Sequence, residues 1–348
     1  MENEHTAAQY GVTSAPESKA RQQWKFIAAV VVGLVAVVVA SQLLERLINR
    51  LWRPDLEEWE WISEVFVIAA LAIMTGLWNR LRMARTAIAQ LEREQLRIET
   101  ELGVAARVQR ALLPQIPERM HGIDWHAVME PAGQVGGDYY DFFPLGDNRM
   151  CVVLADVSGK GVPAAVFVSN MRAVLRAVAR EEGSSPGRML AEVSETLLLD
   201  GGGELYVTCF VAIVDTVRHA MTYANAGHPP GVVVAAKKET KGLGIGGPPL
   251  GLIPEASYDE GALTLEPGDL VVLVSDGITD ALDAGGLGIP QALGDRLAKV
   301  GDRSPAAACA ALLAAARQST GPSGVASWAD DRTVVSFGFL PHVQEAGG

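Results

Sequence analysis

The sequence predicts an α+β domain with mainly antiparallel sheets, preceded by two long apolar segments and a long helix. Short β-rich segments begin at Ile123 and follow one another in runs, without strict alternation with helices, which favours antiparallel pairing. Helical patterns interrupt these runs, and residues 163–181 carry a single apolar face. Residues 26–44 and 61–78 are each long enough to cross a bilayer. From its length of 348 residues, we expect the chain to form about two domains.

The composition argues against nucleic-acid binding, histidine-based zinc sites and a disulfide framework. Lys and Arg number 29 against 41 Asp and Glu, and the resulting net charge of −12 disfavours nucleic acid as a partner. The six histidines show no zinc-binding spacing. The three cysteines, Cys151, Cys209 and Cys309, give no disulfide framework, and we expect buried thiols in a reducing compartment.

The first part of the chain has the pattern of a membrane anchor. Residues 1–23 are polar and mixed, which predicts a disordered cytoplasmic tail. Residues 26–44 contain no charge, and residues 61–78 contain only Glu64, so residues 24–79 are predicted to form a two-helix transmembrane hairpin. A cleaved signal peptide is the alternative for the first run, although its long polar lead-in disfavours one.

A heptad pattern follows the second span. Apolar residues recur every seven positions, and Glu and Arg surround them. The recurring positions are Leu77, Ala84, Leu91, Ile98, Ala105 and Leu112. Residues 80–117 are therefore predicted to form a coiled-coil signalling linker that makes the protein a parallel homodimer, and Pro114 ends the helix. The alternative is one long amphipathic helix that packs on its own domain.

From residue 118 onward the pattern is that of a mixed domain. Strands are predicted over residues 123–129, 149–155, 206–214, 220–224, 231–235, 270–274 and 333–339. Helices are predicted over residues 163–181, 186–199, 289–300 and 305–318. Residues 242–247 formally match GxGxxG, but they do not follow a strand and two prolines come after them, so we expect a flexible loop or flap.

Acidic residues lie at the ends of four strand-like runs. Asp156 ends the run that begins at Met150, and glycines follow it directly. Asp138 follows two glycines, Asp276 follows the run 270–274, and Asp330 with its neighbour Asp331 precedes the last run. If the fold brings these carboxylates together, they repel one another unless cations intervene. A pair of hard divalent cations with oxygen ligands resolves this repulsion.

Six motifs resemble the SpoIIE/RsbU-type branch of the PP2C-like (PPM) serine/threonine phosphatases. They occur in the family's order and span residues 104–339. The motifs are VGGDYYD, ADVSGKGVPAA, YANAGHPP, GPPLGL, LEPGDLVVLVSDGITDAL and DDRTVV. The resemblance implies an α-β-β-α sandwich of two mainly antiparallel sheets over residues 118–340, with residues 341–348 as a tail.

The resemblance also implies roles for the acids and two bound Mn²⁺ or Mg²⁺ ions. Asp156 bridges both ions, the carbonyl of Val157 and the carboxylate of Asp138 serve the first ion, and Asp276 and Asp330 hold the second. Asp331 is an alternative to Asp330. The ions activate a water that displaces serine or threonine from phosphate, with Asp138, Asp156, Asp276 and Asp330 as the catalytic set. Zinc is disfavoured because none of the implied ligands supplies sulfur or imidazole.

The implied substrate is a phosphorylated anti-sigma-factor antagonist, a small STAS-type protein. We expect a multi-pass protein of the cell (inner) membrane with its phosphatase domain in the cytoplasm. A catalytically silent membrane-anchored sensor module and a two-metal phosphodiesterase are the alternatives. His228 is interpreted as a structural residue, and a role as general acid is the alternative. The side chain of Asp141 is expected to cap an element or to hydrogen-bond to backbone. Arg172 and Arg176 are conceivable phosphate contacts, and the phosphate clamp is unassigned.

Overall fold

The computed structural model describes most of the chain from residue 60 onward. The described residues are 33, 38–43, 45–47, 50, 60–114, 122–146, 148–159, 161–183, 185–201, 205–235, 239–244, 246–282, 288–318 and 330–339. Both predicted tails, and most of the first predicted span, lie outside these residues. The chain divides into two compact units, Met1–Gln95 and Leu96–Gly348.

The first long helix, α1 (Glu60–Leu112), runs through the second predicted span and the predicted linker. It contains no proline, and it ends two residues before Pro114, as its sequence predicts. The heptad residues Leu91 and Ile98 are 67% and 49% exposed in the single chain. Their exposure leaves an apolar seam available, but the dimer and the boundaries of the linker stay predictions.

Two helices among the described residues are long and apolar enough to cross a membrane. Residues Val65–Leu112 form the first, and no part of its most apolar window is buried. The second, Val162–Glu181, contributes Met171 and Leu175 to a hydrophobic core and is thereby explained as a core helix. Only the first helix therefore remains as a candidate span in the described part of the chain.

The second unit contains two five-stranded sheets, and the paired strands in both are antiparallel. The first sheet has the strand order β1-β10-β9-β6-β7: β1 (Ile123–Glu130), β10 (Arg332–Phe339), β9 (Leu270–Val274), β6 (Gly231–Val234) and β7 (Thr240–Leu243). The second sheet has the order β2-β3-β4-β5-β8: β2 (Asp138–Pro144), β3 (Arg149–Val157), β4 (Val207–Asp215), β5 (Ala220–Ala226) and β8 (Glu260–Thr264). The helices that follow α1 are α2 (Val162–Glu182), α3 (Pro186–Gly201), α4 (Asp276–Leu282), α5 (Ile289–Leu297) and α6 (Pro305–Gln318).

The layers are helix, sheet, sheet and helix, which confirms the predicted sandwich. Strand β3 shows how the layers form, because its alternate residues enter different cores. Cys151 and Val153 lie in the cluster shared with α2 and α3, whereas Val152 lies between the sheets. Between the sheets Trp125 stacks on Phe337 with 5.0 Å between ring centroids. A third cluster joins α4, α5 and α6 to the outer face of the first sheet.

The structure contains four elements that were not predicted from the sequence. Strands β7 and β8 and helix α4 were not predicted because their sequences are short and partly polar, and β2 was not predicted because its apolar residues do not alternate with polar ones. The prediction of a flexible loop or flap over residues 242–247 is wrong for Gly242 and Leu243, which belong to β7 and pair with β6. Gly246 is also fixed, since its amide donates to the carbonyl of Asn225 at 3.0 Å. A Cβ on Gly247 would lie 2.5 Å from the Tyr258 ring, so close packing accounts for that glycine.

Candidate metal centre

Two of the predicted acids lie opposite each other in the second sheet. Asp138 is the first residue of β2, and the antiparallel register places it across from Asp156 on β3. Asp138 is buried, with 1% of its surface exposed, whereas Asp156 is half-buried. On its other side Asp156 is paired with Thr208 of β4. The register of two neighbouring strands therefore explains how the acids of the separate motifs VGGD and ADVSG come to lie at one place.

The other predicted acids lie at adjoining strand ends of the first sheet. Asp276 begins α4 two residues after the end of β9, and Asp330 precedes β10, which is the antiparallel neighbour of β9. Ser275 fixes this junction, because its amide donates to the Thr333 carbonyl at 3.0 Å and its hydroxyl accepts from the Thr333 amide at 2.9 Å. The Ser275 hydroxyl also donates to the Asp331 carbonyl at 3.2 Å.

Side chains from β10 and the residues before it connect the two groups of acids. The hydroxyl of Thr333 donates to Oδ2 of Asp138 at 2.5 Å. The carboxylate of Asp331, 4% exposed, accepts three backbone amides: Ala132 at 2.7 Å through Oδ1, and Gly137 at 2.5 Å and Asp138 at 3.2 Å through Oδ2. Asp331 thus fixes the loop that leads to Asp138.

The paired glycines before Asp138 allow this close approach. A Cβ on Gly136 would lie 2.4 Å from Oδ2 of Asp331. A Cβ on Gly137 would lie 2.8 Å from the Val157 carbonyl and 3.0 Å from Oδ1 of Asp156. Because real side chains do not tolerate such distances, the absence of a side chain at both positions is required for the acids to meet.

Burial and repulsion from neighbouring carboxylates raise the pKa values of Asp138 and Asp276. Burial, followed by the charges of Asp156 and Asp331, raises the pKa of Asp138 well above its usual value, and the Thr333 hydrogen bond only partly opposes this. Burial and the charge of Asp330 raise the pKa of Asp276. This is the behaviour expected of acids whose charges a cation would normally balance.

The donor set fits a hard divalent cation. All the predicted ligands are oxygens, and Oδ1 of Asp138 is buried without a hydrogen-bond partner in the described part of the chain. An unpaired buried carboxylate oxygen is costly unless a ligand engages it. Within the described residues, no three His, Cys, Asp or Glu side chains converge on one point that could hold a metal ion. The structure therefore brings Asp138 to Asp156 and Asp276 towards Asp330, but it does not complete a coordination shell.

The two arginines considered for phosphate binding contact Asp141 in the protein interior. Arg176 donates to both carboxylate oxygens of Asp141 at 2.7 Å, and Nε of Arg172 lies 3.9 Å from the same carboxylate. Asp141 also accepts from the Phe142 amide at 2.9 Å, which confirms the expected bond to backbone, and from the Tyr139 hydroxyl. Arg176 is therefore a structural residue that ties α2 to β2.

Gln109 of α1 also contacts the candidate site, which was not predicted from the sequence. Its side-chain amide donates to the Gly136 carbonyl at 2.6 Å and accepts from the Gly136 amide at 3.2 Å. Around it, the last turns of α1 contribute Ala106 to a small cluster with Val135 and Ala165. The sequence signal for this contact was a polar residue four positions after Ala105, where a heptad pattern normally has an apolar one.

Comparisons with known proteins agree with the fold and the motifs. The family model described as Stage II sporulation protein E (SpoIIE) matches residues 146–339. The phosphoserine phosphatase RsbU of Bacillus subtilis is 33% identical over 187 residues, which cover 53% of this chain and 55% of RsbU. RsbP of the same organism, also named a phosphoserine phosphatase, is 23% identical over 190 residues, or 53% of this chain and 47% of RsbP. The chain thus spans about half the length of these curated relatives.

Solved structures with the same fold include two bacterial phosphatase-type domains. The SiaA-PP2C domain of Pseudomonas aeruginosa gives a TM-score of 0.60 at 23% identity and covers 70% of this chain and 98% of that domain. The RsbU and RsbW domains of a Mycobacterium tuberculosis protein give a TM-score of 0.53 at 26% identity, over 63% of this chain and 62% of that one. The fold is therefore PP2C-like, and because the family model matches more than half of its residues, the chain belongs to the SpoIIE family.

Proposed function

We propose that the protein is a metal-dependent protein serine/threonine phosphatase, a phosphoric monoester hydrolase that uses Mn²⁺ or Mg²⁺. The observation that carries this proposal is the placement of Asp138 opposite Asp156, next to the adjoining strand ends that bear Asp276 and Asp330. The likeness to RsbU and RsbP, both named phosphoserine phosphatases, supports the same activity.

Each acid receives a role in this proposal. Asp156 would bridge two cations, with Asp138 and the carbonyl of Val157 at the first, and Asp276 and Asp330 at the second. Asp331 is better assigned to the loop than to a metal, because both of its carboxylate oxygens already accept backbone amides. This favours Asp330 over Asp331 as the ligand at the second position.

The residues around the acids prepare them for this chemistry. The Thr333 hydroxyl engages Oδ2 of Asp138 and leaves Oδ1 for a ligand. Gly137 permits the Val157 carbonyl and the Asp156 carboxylate to approach the same point. When bound, the cations would supply an activated water for attack on phosphorus and neutralise charge that develops on the phosphoryl oxygens. The protein contributes a rigid, partly buried frame that holds the ligands in place before substrate arrives.

The substrate proposed here is a phosphorylated anti-sigma-factor antagonist of the STAS type. This rests on the family motifs and on the likeness to RsbU. The apolar amino-terminal part of α1 supports a membrane location, and the exposed heptad residues of α1 support a homodimer. The reduced, buried state of Cys151, Cys209 and Cys309 supports a phosphatase domain in the cytoplasm.

The test is phosphate release from a phosphorylated STAS protein by the full chain in lipid nanodiscs. We expect release with Mn²⁺, none in excess chelator, and none from Asp156→Asn. The matched control is Asp295→Asn, which neutralises an exposed acid on α5 and should retain activity. Equal release with and without chelator would contradict the metal dependence. Release from phosphodiesters but not from phosphoserine would favour the phosphodiesterase alternative.

A further inference from the structure

The turn between β5 and β6 carries the chain from the second sheet to the first, beside the candidate metal centre. Its residues 225–228 are Asn-Ala-Gly-His, and both Asn225 and His228 are buried. His228 is 1% exposed. Because this turn joins the two sheets, a role for His228 has to be argued from the residues that surround its ring.

The turn is rigid, so it holds the imidazole in one place. The Asn225 side chain accepts from the His228 amide at 2.8 Å and donates to the His228 carbonyl at 3.0 Å. Gly227 has a φ of +69°, and a Cβ there would lie 3.0 Å from the Pro249 ring. Pro229 follows directly and restricts the backbone of His228.

The ring contacts one strand from each sheet. Nδ1 of His228 lies 2.9 Å from the hydroxyl of Thr208, the residue that the register of β3 and β4 pairs with Asp156. The ring also interacts with the backbone of Val274, without a hydrogen bond of regular geometry at Nε2. Val274 ends β9, two residues before Asp276. Burial lowers the pKa of His228 to about 3, so the ring is neutral.

We propose that His228 is a positioning residue that connects the strand pair bearing Asp156 to the strand leading to Asp276, and so fixes the separation of the two metal positions. This inference rests on the proposed function, because it assigns a role only if these acids bind cations. A general-acid role would require the ring to reach substrate, and its burial inside the turn opposes that.

The expected effect is on metal affinity. Partners that orient metal ligands from outside the coordination shell typically contribute about 10- to 100-fold to affinity or activity. Loss of the Thr208 contact should free the imidazole from its fixed place between β4 and the end of β9, so that the second sheet holds the end of β9 less firmly at the centre. The first cation, held by Asp138 and Asp156 within one sheet, should be affected less than the second, which requires both sheets.

The test compares Mn²⁺ binding by the full chain in nanodiscs, measured from the electron paramagnetic resonance signal of free Mn²⁺. Thr208→Val removes the hydroxyl at nearly constant volume, and His228→Phe removes the ring nitrogens. The matched control is Thr216→Val, since Thr216 follows the opposite end of β4, is buried, and donates to the Asn148 carbonyl at 3.0 Å. Thermal unfolding in chelator reports the folding of each variant independently of metal.

We expect Thr208→Val and His228→Phe each to raise the Mn²⁺ concentration at half-occupancy of the weaker site about 10-fold. The double variant should bind no more weakly than the weaker single variant, because both substitutions break one contact. Thr216→Val should bind Mn²⁺ like the wild type even if it unfolds at a lower temperature. If His228→Phe does not fold, Thr208→Val decides the question alone.

Failure of the positioning role and failure of the proposed function give different results. Wild-type Mn²⁺ binding with an unchanged affinity in Thr208→Val would overturn the positioning role and leave the proposed function intact. A wild-type chain that binds no Mn²⁺ would overturn the proposed function and, with it, the role of His228. A variant that binds Mn²⁺ normally but loses one limb of its pH–rate profile would replace positioning by direct proton transfer.

Discussion

Substitution of Asp331 by Asn separates a structural acid from the proposed ligand beside it. The Asp331 carboxylate accepts three backbone amides, whereas asparagine has a single side-chain oxygen. If that oxygen keeps the bonds to Gly137 and Asp138, the new NH₂ group faces the Ala132 amide, and two donors oppose each other. The Ala132 amide then loses its acceptor, which costs about 1 kcal/mol because Ala132 is exposed and water can replace the bond, and two charge-assisted bonds become neutral, which costs about 1 kcal/mol each.

Relief of repulsion with Asp138 offsets part of this loss in the metal-free protein. The net decrease in the free energy of unfolding for Asp331→Asn should be about 1–3 kcal/mol. For a domain of this size, about 3 °C per kcal/mol converts this to a Tm lower by roughly 3–9 °C. Asp330 is half-buried and accepts the Asp331 amide at 3.0 Å, so Asp330→Asn should lower the free energy by about 1 kcal/mol.

The assay is thermal unfolding of the full chain in chelator, followed by circular dichroism, for Asp331→Asn, Asp330→Asn and the exposed-site control Asp295→Asn. A second measurement, Mn²⁺ binding, should reverse the order, because Asp330→Asn removes a proposed ligand. Equal Tm values for the Asp331 and Asp330 variants would refute the assignment of Asp331 to the loop. Weaker Mn²⁺ binding by the Asp331 variant than by the Asp330 variant would transfer the ligand role to Asp331.

Three further predictions follow from the same geometry. Asp141→Asn should lower the free energy of unfolding by about 1.5–3 kcal/mol in urea denaturation, because the half-buried guanidinium of Arg176 loses two charge-assisted hydrogen bonds to a buried carboxylate. His228 binds a proton more readily in the unfolded chain, where its pKa is about 6.5, than in the fold, where burial lowers it to about 3. Its contribution to stability is therefore complete above pH 6.5 and is lost as the pH falls towards 3, and the difference between wild type and His228→Phe in pH-dependent unfolding should show this slope. Leu91→Asp combined with Ile98→Asp should convert the dimer into a monomer in light scattering, because both place charge in the seam; a retained dimer would assign association to another surface.

The sequence was sufficient for features that depend on local pattern. The strand-ending acids Asp156 and Asp276, the helix stop before Pro114 and the helix at residues 163–181 all follow from neighbouring residues, and the structure places each of them as expected. The order of the motifs, through the family resemblance, predicted the sandwich of two sheets flanked by helices. β2 was missed because its sequence, DYYDFFP, does not alternate: both of its faces are covered, by α2 on one side and by the first sheet on the other.

The remaining features depend on contacts between residues far apart in the chain. Asp331 contacts amides about 200 positions away, so spacing could offer it only as an alternative ligand to Asp330. Likewise the ion pair between Asp141 and Arg176 depends on how α2 lies across β2. The Gly136 and Gly137 pair was identified as part of a motif, but the reason for it, contact with Asp331 and Val157, appears only in three dimensions.

The most direct measurement is the number of Mn²⁺ ions bound per chain, taken together with phosphate release, in wild type and Asp156→Asn. The wild-type chain should bind about two Mn²⁺ and release phosphate from a phosphorylated STAS protein. Because Asp156 is proposed to contact both ions, Asp156→Asn should lose both sites and all release while its Tm in chelator stays near the wild-type value. Near-normal Mn²⁺ binding and turnover by Asp156→Asn would contradict the proposal that these strand-end acids form a two-metal phosphatase centre.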